Sequence, residues 1–205
     1  MCRAGGFTLI EMLVVVAIIM ILAAIIYPVY ETVNKRAETV HCASNMGHLA
    51  HAVLLYAEDY DGVLVPAYVT GGQNGAVATS WDVLLMPYHH SEALYLCVSD
   101  QAASFASSTT CYKHSYGLNF DLTMVGGYGS SAMLLSEVQS PSATILLFEV
   151  RGSLRVLGAS YPAHRLTRVD ARHNDGCNFS FLDGHVKWCR PATTCADAAN
   201  NMWIP

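Results

Sequence analysis

From Met12 to Val29 the chain reads MLVVVAIIMILAAIIYPV, without one charged side chain. A run of roughly 18 apolar residues is long enough to cross a bilayer core as a helix, so any fold for this chain must first place this segment in lipid or against other protein. Glu11 sits at its N-terminal edge, where a carboxylate in or near lipid is costly and asks for a partner. Pro28 lies near its far end, where it is expected to kink or locally unwind a helix that otherwise continues. A secretory signal places its positive region and apolar core ahead of the cleavage point. Here the order is reversed: Met1 to Gly6, with Arg3 as its one cation, forms a short leader, and the apolar run follows the Gly6/Phe7 junction. Cleavage after Gly6 leaves the apolar segment on the mature protein, starting at Phe7.

Gly6, then Phe7-Thr8-Leu9-Ile10-Glu11, then a hydrophobic helix with Pro28 near its end, resembles the N-terminus of type IV pilins and of the pseudopilins of type II secretion. The resemblance implies that a prepilin peptidase cuts after Gly6 and that the new Phe7 amine is N-methylated. It further implies a bacterial cytoplasmic (inner) membrane precursor, crossing once, with its globular part periplasmic or extracellular. An inner-membrane assembly platform would then draw subunits into a homo- or hetero-oligomeric filament with other pilins. The chemistry agrees: Glu11 is unfavourable alone in lipid, but among packed N-terminal helices it can face a neighbour's Phe7 ammonium, so assembly removes an unpaired charge.

Composition suits a tethered protein whose surface spends its time against other subunits. The hydrophobic fraction is 53% and the charged fraction 13%, against about 25% charged in average soluble proteins. The formal net charge is -5, and removing Arg3 with the leader makes it more negative, so no specific nucleic-acid partner is expected. Arg151, Arg155, Arg165, Arg168 and Arg172 make the C-terminal part locally basic; with few interleaved aromatics, they are expected in intersubunit salt bridges.

Beyond Pro28, Tyr30 to Tyr60 contains no proline, and Cys42, Met46, Leu49, Val53 and Tyr56 form one helical stripe. A nearly continuous helix is predicted from about Thr8 to about Asp59, its second half lying on a sheet through that stripe. His41, His48 and His51 lack carboxylate or thiol partners at ligand spacing and read as solvated or groove-lining. Asp59-Tyr60-Asp61-Gly62 ends the helix, with Gly62 in the left-handed cap position. Two Asp before a Gly also resemble the start of a calcium loop, but the downstream acidic ligand is missing, so calcium is a weak alternative to no cofactor.

Downstream, Trp81 to Tyr88 reads as a short helix stopped by Pro87, and Leu94 to Val98 as a short strand. Cys97-Val98-Ser99-Asp100 followed by Ser115-Tyr116-Gly117-Leu118-Asn119 resembles a group of pilin-like proteins with a C-P-S-D then S-Y-G-x-N pattern; here Val98 replaces the Pro. Thr144 to Val150 is a buried strand entered from Pro141. His173, then nine residues, then Asp183-Gly184 resembles the C-terminal signature of the same group. Asp183-Gly184 predicts a two-residue hairpin turn that sets Phe181 opposite Val186 and Phe179 opposite Trp188, with Cys177 on the same core-facing side. Asn178, Ser180, His185 and Lys187 then take the other side.

His173, Asp175, Asp183 and His185 admit a catalytic or metal-binding reading, yet no Ser or Cys nucleophile with a base is identifiable; neither catalytic nor metal residues are assigned. Of seven cysteines, Cys2 leaves with the leader, and the others are expected outside the cytoplasm, where disulfides persist. The pairings expected are Cys97 with Cys111, Cys189 with Cys195 and Cys42 with Cys177. Cys177 and Cys189 are placed on opposite faces of adjacent strands.

The expected architecture is an α+β, pilin-like fold: a long N-terminal helix, half membrane and half amphipathic, packed on a small antiparallel sheet. Residues 1–6 are the leader, 7–30 the transmembrane and filament-core helix, and 31–205 the globular domain. Its expected role is a filament subunit. The alternatives are a minor or tip pilin binding a ligand through the Gly71 to Gly75 and Gly126 to Ser131 loops, and a membrane-tethered enzyme using His173 and Asp183.

Overall fold

A computed structural model describes residues 8–71, 76–100, 115–123, 132–150, 156–157, 169–194 and 202–203. Gly6, Phe7, Cys111, Cys195, the Gly126 to Ser131 loop, most of the Gly71 to Gly75 loop and the four arginines from Arg151 to Arg168 lie outside the described residues. The chain divides into two compact units, Met1–Ala37 and Glu38–Pro205. One helix, α1 (Leu9–Asp59), contributes to both and is helical through Pro28.

Within the first unit Thr8 is the N-cap of α1. Its amide (2.8 Å) and hydroxyl (2.7 Å) donate to Glu11 Oε2, while its Oγ1 accepts from the Glu11 amide. This is a reciprocal capping box. The Leu, Ile, Val and Met side chains from Leu9 to Val33 are exposed all round the helix, as a segment meant for lipid or neighbouring helices would be. By length and composition this helix can cross a membrane.

In the second unit the stripe of Cys42, Met46, Leu49, Val53 and Tyr56 is buried as its spacing predicts, together with Ala50. α1 ends in a Schellman-type cap, in which the Gly62 amide reaches back to the Ala57 carbonyl (2.7 Å). The left-handed C′ residue is Asp61 (φ 54), with Gly62 (φ 84) following it, one position earlier than expected from the glycine alone. A two-stranded ribbon comes next, β1 (Tyr68–Gly71) with β2 (Ala76–Ser80). Trp81 to Tyr88 is not one helix: α2 (Trp81–Leu84) and α3 (Met86–His89) are separate turns, with Pro87 in the first turn of α3, where its missing amide costs nothing. Leu94 to Val98 is not a strand; a 3₁₀ turn, Glu92–Tyr95, leads into the Cys97 turn.

The main sheet has β3 (Tyr116–Asn119), β4 (Ile145–Glu149), β5 (Val156–Leu157), β6 (Cys177–Phe181) and β7 (Val186–Cys189) in the order β5-β3-β4-β6-β7, antiparallel except for the β3–β5 pair. A short helix, α4 (Phe120–Thr123), follows β3. On one face Tyr116, Leu118, Leu147 and Leu182 pack with the α1 stripe. On the other, Ile145, Phe148, Cys177, Phe179 and Phe181 gather round Trp203. The central strands β3, β4 and β6 are thus buried on both faces, and the polar face predicted for β6 is buried too: Asn178 and Ser180 are inaccessible. The architecture is α+β and pilin-like, a long N-terminal helix with small antiparallel sheets.

The β6–β7 register differs from expectation by one residue. Phe179 lies opposite Lys187 and Ser180 opposite Val186, because the loop has three residues, Leu182 to Gly184, with Gly184 at φ 92. One residue of slip exchanges the faces of a whole strand. Val186 therefore packs with the α1-side core, Trp188 is 42% exposed, and Cys177 stands directly across from Cys189 instead of on an opposite face.

The Ser115 to Asn119 pattern has a structural reason at each fixed residue. The Ser115 hydroxyl accepts the Cys97 amide (3.0 Å), Tyr116 reaches the Cys42 carbonyl, and Asn119 Nδ2 donates to the carbonyls of Ile145 (2.8 Å) and Trp203 (2.9 Å). Gly117 lies under the ring of Phe148, where a Cβ would come within 2.7 Å of Cζ. That ring is locked edge-on against Trp203 with centroids 4.9 Å apart. Gly117→Ala is therefore expected to destabilise the fold by about 1–3 kcal/mol through overpacking, seen as a lower urea midpoint.

Candidate functional site: the buried Cys42, Cys97, Glu149 and His173 cluster

Four elements meet beneath the first turns of the globular unit. Cys42 comes from α1, Cys97 from the turn after the 3₁₀ segment, Glu149 from the end of β4, and His173 from the turn that precedes β6. Cys42 is bonded to Cys97, with Cα atoms 5.2 Å apart. Closing a loop of this length contributes roughly 4 kcal/mol by chain entropy. This corrects the expected Cys97–Cys111 and Cys42–Cys177 pairings: the α1 stripe meets the Cys97 turn, whereas Cys177 points to the opposite face of the sheet, into the Trp203 core. Cys177 and Cys189 are free thiols, and the expected partner of Cys189, Cys195, lies outside the described residues. Burial pushes both thiols above their ordinary range, Cys177 furthest.

His173 Nε2 faces Glu149 Oε1 at 3.0 Å and Cys97 Sγ at 3.4 Å. The buried Glu149 carboxylate also accepts from the Asn178 amide (3.2 Å) and side chain (3.1 Å), and Asn178 Nδ2 reaches the Thr39 carbonyl on α1 (3.1 Å). The network therefore ties strand, helix and turn together through one buried imidazole–carboxyl contact, its polar atoms partnered as burial requires.

His173 owes its position to the run His173-Asn174-Asp175-Gly176. Asn174 (φ 52) and Asp175 (φ 59) are both left-handed, and the His173 and Gly176 amides exchange bonds with each other's carbonyls. This is the type I′ two-residue turn expected at Asp183-Gly184, displaced to the other end of β6. The Trp188 indole closes over Gly176, where a Cβ would come within 2.3 Å of its ring, and donates to the His173 carbonyl (2.8 Å). The Arg172 side chain is 6% exposed and engaged within its own chain: it pairs with Asp100 and Asp170 (2.9 Å each) and donates to the Val150 carbonyl. It is not available for the intersubunit bridge expected of it. Asp100 belongs to the Cys97 run, so the two separated motifs interlock through Cys97–His173 and Asp100–Arg172.

The other candidate residues are not brought to this cluster. Asp183 accepts the His185 amide and pairs with the His185 ring at the exposed loop, its role being the turn. Asp59, of the suggested calcium loop, receives the Tyr88 hydroxyl (2.9 Å). Among the described residues, the group of His, Cys, Asp and Glu ligand atoms gathered within 4.8 Å is Cys42, Cys97, Glu149 and His173. Sequence reasoning singled out both cysteines and His173 but missed Glu149 as their companion; the signal was a carboxylate at the end of an otherwise apolar strand.

His48 and His51 line a shallow groove with Tyr88, His89 and Leu94. Burial, then the neighbouring His90, hold His89 below its ordinary value of 6.5. Its Nδ1 faces the Ser91 amide (3.2 Å) and must stay unprotonated to accept from it. A base whose folded value is depressed favours folding in its neutral form and loses that contribution as pH falls below the unfolded value. The urea midpoint is accordingly expected to drop between pH 7 and pH 5, and His89→Gln to shrink that drop.

Comparison with known proteins bears on the other end of the chain. Residues 1–27 match the prokaryotic N-terminal methylation motif. No curated protein and no solved structure gives a significant match. The motif supports a type IV pilin-like protein, a pilin or pseudopilin-type subunit, and points to a structural role over an enzymatic one. Together with the exposed apolar half of α1 it marks a membrane-anchored protein.

Proposed function

We propose that the chain is a structural subunit of a type IV pilus-like or type II secretion pseudopilus filament. In this reading prepilin peptidase removes residues 1–6 after Gly6, Phe7 becomes the N-methylated terminus, and residues 7–30 form the transmembrane and then filament-core helix. Residues 31–205 form the pilin-like globular domain on the outer side of the bacterial inner membrane. The observation that carries the reading is the methylation motif over residues 1–27, which runs into an α1 whose apolar residues from Leu9 to Val33 stay exposed among the described residues. Such a surface needs lipid before assembly and neighbouring helices after it. Other pilins, the peptidase/methyltransferase and an inner-membrane assembly platform are its partners. Mass spectrometry of sheared surface fibres tests this: the expected N-terminal peptide begins at a methylated Phe7. Recovery from the membrane alone, or a start elsewhere, defeats it.

A further inference from the structure

We infer that Cys42, Cys97, Glu149 and His173 form a redox-gated site for a soft divalent cation, zinc in particular, occupied when Cys42 and Cys97 are reduced. Two thiolates, an imidazole and a carboxylate are a zinc donor set. All four side chains are buried, and their ligand atoms lie within 4.8 Å of one another. In tetrahedral zinc, bonds of about 2.0–2.3 Å put neighbouring donor atoms about 3.3–3.8 Å apart. His173 Nε2 already stands 3.4 Å from Cys97 Sγ and 3.0 Å from Glu149 Oε1, and breaking the disulfide lets the two sulfurs separate to the same spacing.

The supports around the donors are those a metal site uses to fix its ligands. Asn178 holds Glu149 from its backbone and side chain, Ser115 holds the Cys97 amide, and Trp188 holds the His173 carbonyl. The donors come from residues far apart in sequence, so the assembled site requires the folded unit. In the disulfide form the sulfurs carry no thiolate, and the His173–Glu149 pair closes the space.

The switch balances through thiol–disulfide exchange. An external dithiol attacks the Cys42–Cys97 bond and is itself oxidised to a disulfide. Two electrons and two protons pass to Cys42 and Cys97. Zinc then binds both sulfurs as thiolates, releasing the two protons to solvent.

Cobalt(II) is the probe, titrated anaerobically into the full-length detergent-solubilised chain in its disulfide form and after dithiol reduction and removal of the dithiol. The reduced chain is expected to take up one equivalent, with thiolate charge-transfer and tetrahedral ligand-field bands that zinc bleaches; the disulfide form is expected to show none. Cys97→Ser and His173→Gln should each weaken binding at least tenfold, while Cys177→Ser with Cys189→Ser leaves the bands in place. Absence of the bands in the reduced, folded wild-type chain overturns the inference. So does equal binding by the disulfide form, bands that survive Cys97→Ser, or bands lost with Cys177 and Cys189. The wild-type comparison of the two redox forms, with folding followed by circular dichroism, decides the matter even where a variant does not fold.

Discussion

Glu11→Leu and Glu11→Gln are both expected to leave the chain in the membrane and to reduce its recovery in sheared fibres by at least tenfold. The two substitutions separate two roles of one carboxylate. Within its own chain Glu11 accepts from the Thr8 amide and hydroxyl, closing the first turn of α1. Glutamine serves at this position of a capping box almost as well as glutamate, so Glu11→Gln spares the helix terminus and removes only the charge. In the filament proposed here the charge itself faces a neighbour's Phe7 ammonium in a low-dielectric helix bundle, and loss of about 1.4 kcal/mol per contact already shifts the equilibrium tenfold. Immunoblots of sheared fibres against membrane fractions give the ratio. Normal assembly of Glu11→Gln together with failure of Glu11→Leu would assign Glu11 to capping and remove the intersubunit pair from the proposal.

The second large effect is expected at the buried His173–Glu149 pair. His173→Leu leaves the buried Glu149 carboxyl with the two Asn178 donors as its remaining partners among the described residues. Removing one member of such a pair costs about 3–5 kcal/mol, a large share of the total stability of an ordinary domain. Replacing both residues with Leu removes the stranded polar group, so the double variant is expected to be more stable than His173→Leu alone. Urea unfolding followed by tryptophan fluorescence suits the measurement, since Trp81 and Trp203 are wholly buried. A His173→Leu variant as stable as wild type would show that Asn178 alone satisfies Glu149.

The helix was legible from Thr8 to Asp59 because its apolar spacing, the Asp-Gly stop and the absence of proline beyond Pro28 agree. The inward face of β6 was legible for the same reason, from Cys177, Phe179 and Phe181. The β7 faces were not, since Asp183-Gly184 suits both a two-residue and a three-residue loop, and the choice between them depends on what Val186 and Trp188 meet elsewhere. Val186 finds the α1-side core and Trp188 finds Gly176 and the His173 carbonyl. The cysteine pairing was illegible in principle: spacing favours nearby partners, while Cys42 and Cys97 are brought together by the α1 stripe packing on the sheet. Glu149 was hidden within an apolar strand because its partners, Asn178 and His173, lie in a different part of the chain.

The position of the Cys42–Cys97 bond bears on how the globular unit takes mechanical load. Tension arriving along α1 meets three attachments within its first residues there: the Ser99 hydroxyl on Glu38 (2.7 Å), Asn178 on the Thr39 carbonyl, and the covalent clip at Cys42. A pull is passed into the Cys97 turn and the centre of the sheet before it reaches the packed stripe from Met46 to Tyr56, so while the clip is closed the helix cannot be peeled away turn by turn. Opening it exchanges a covalent stop for non-covalent contacts, and the force needed to strip the helix from the sheet falls with it.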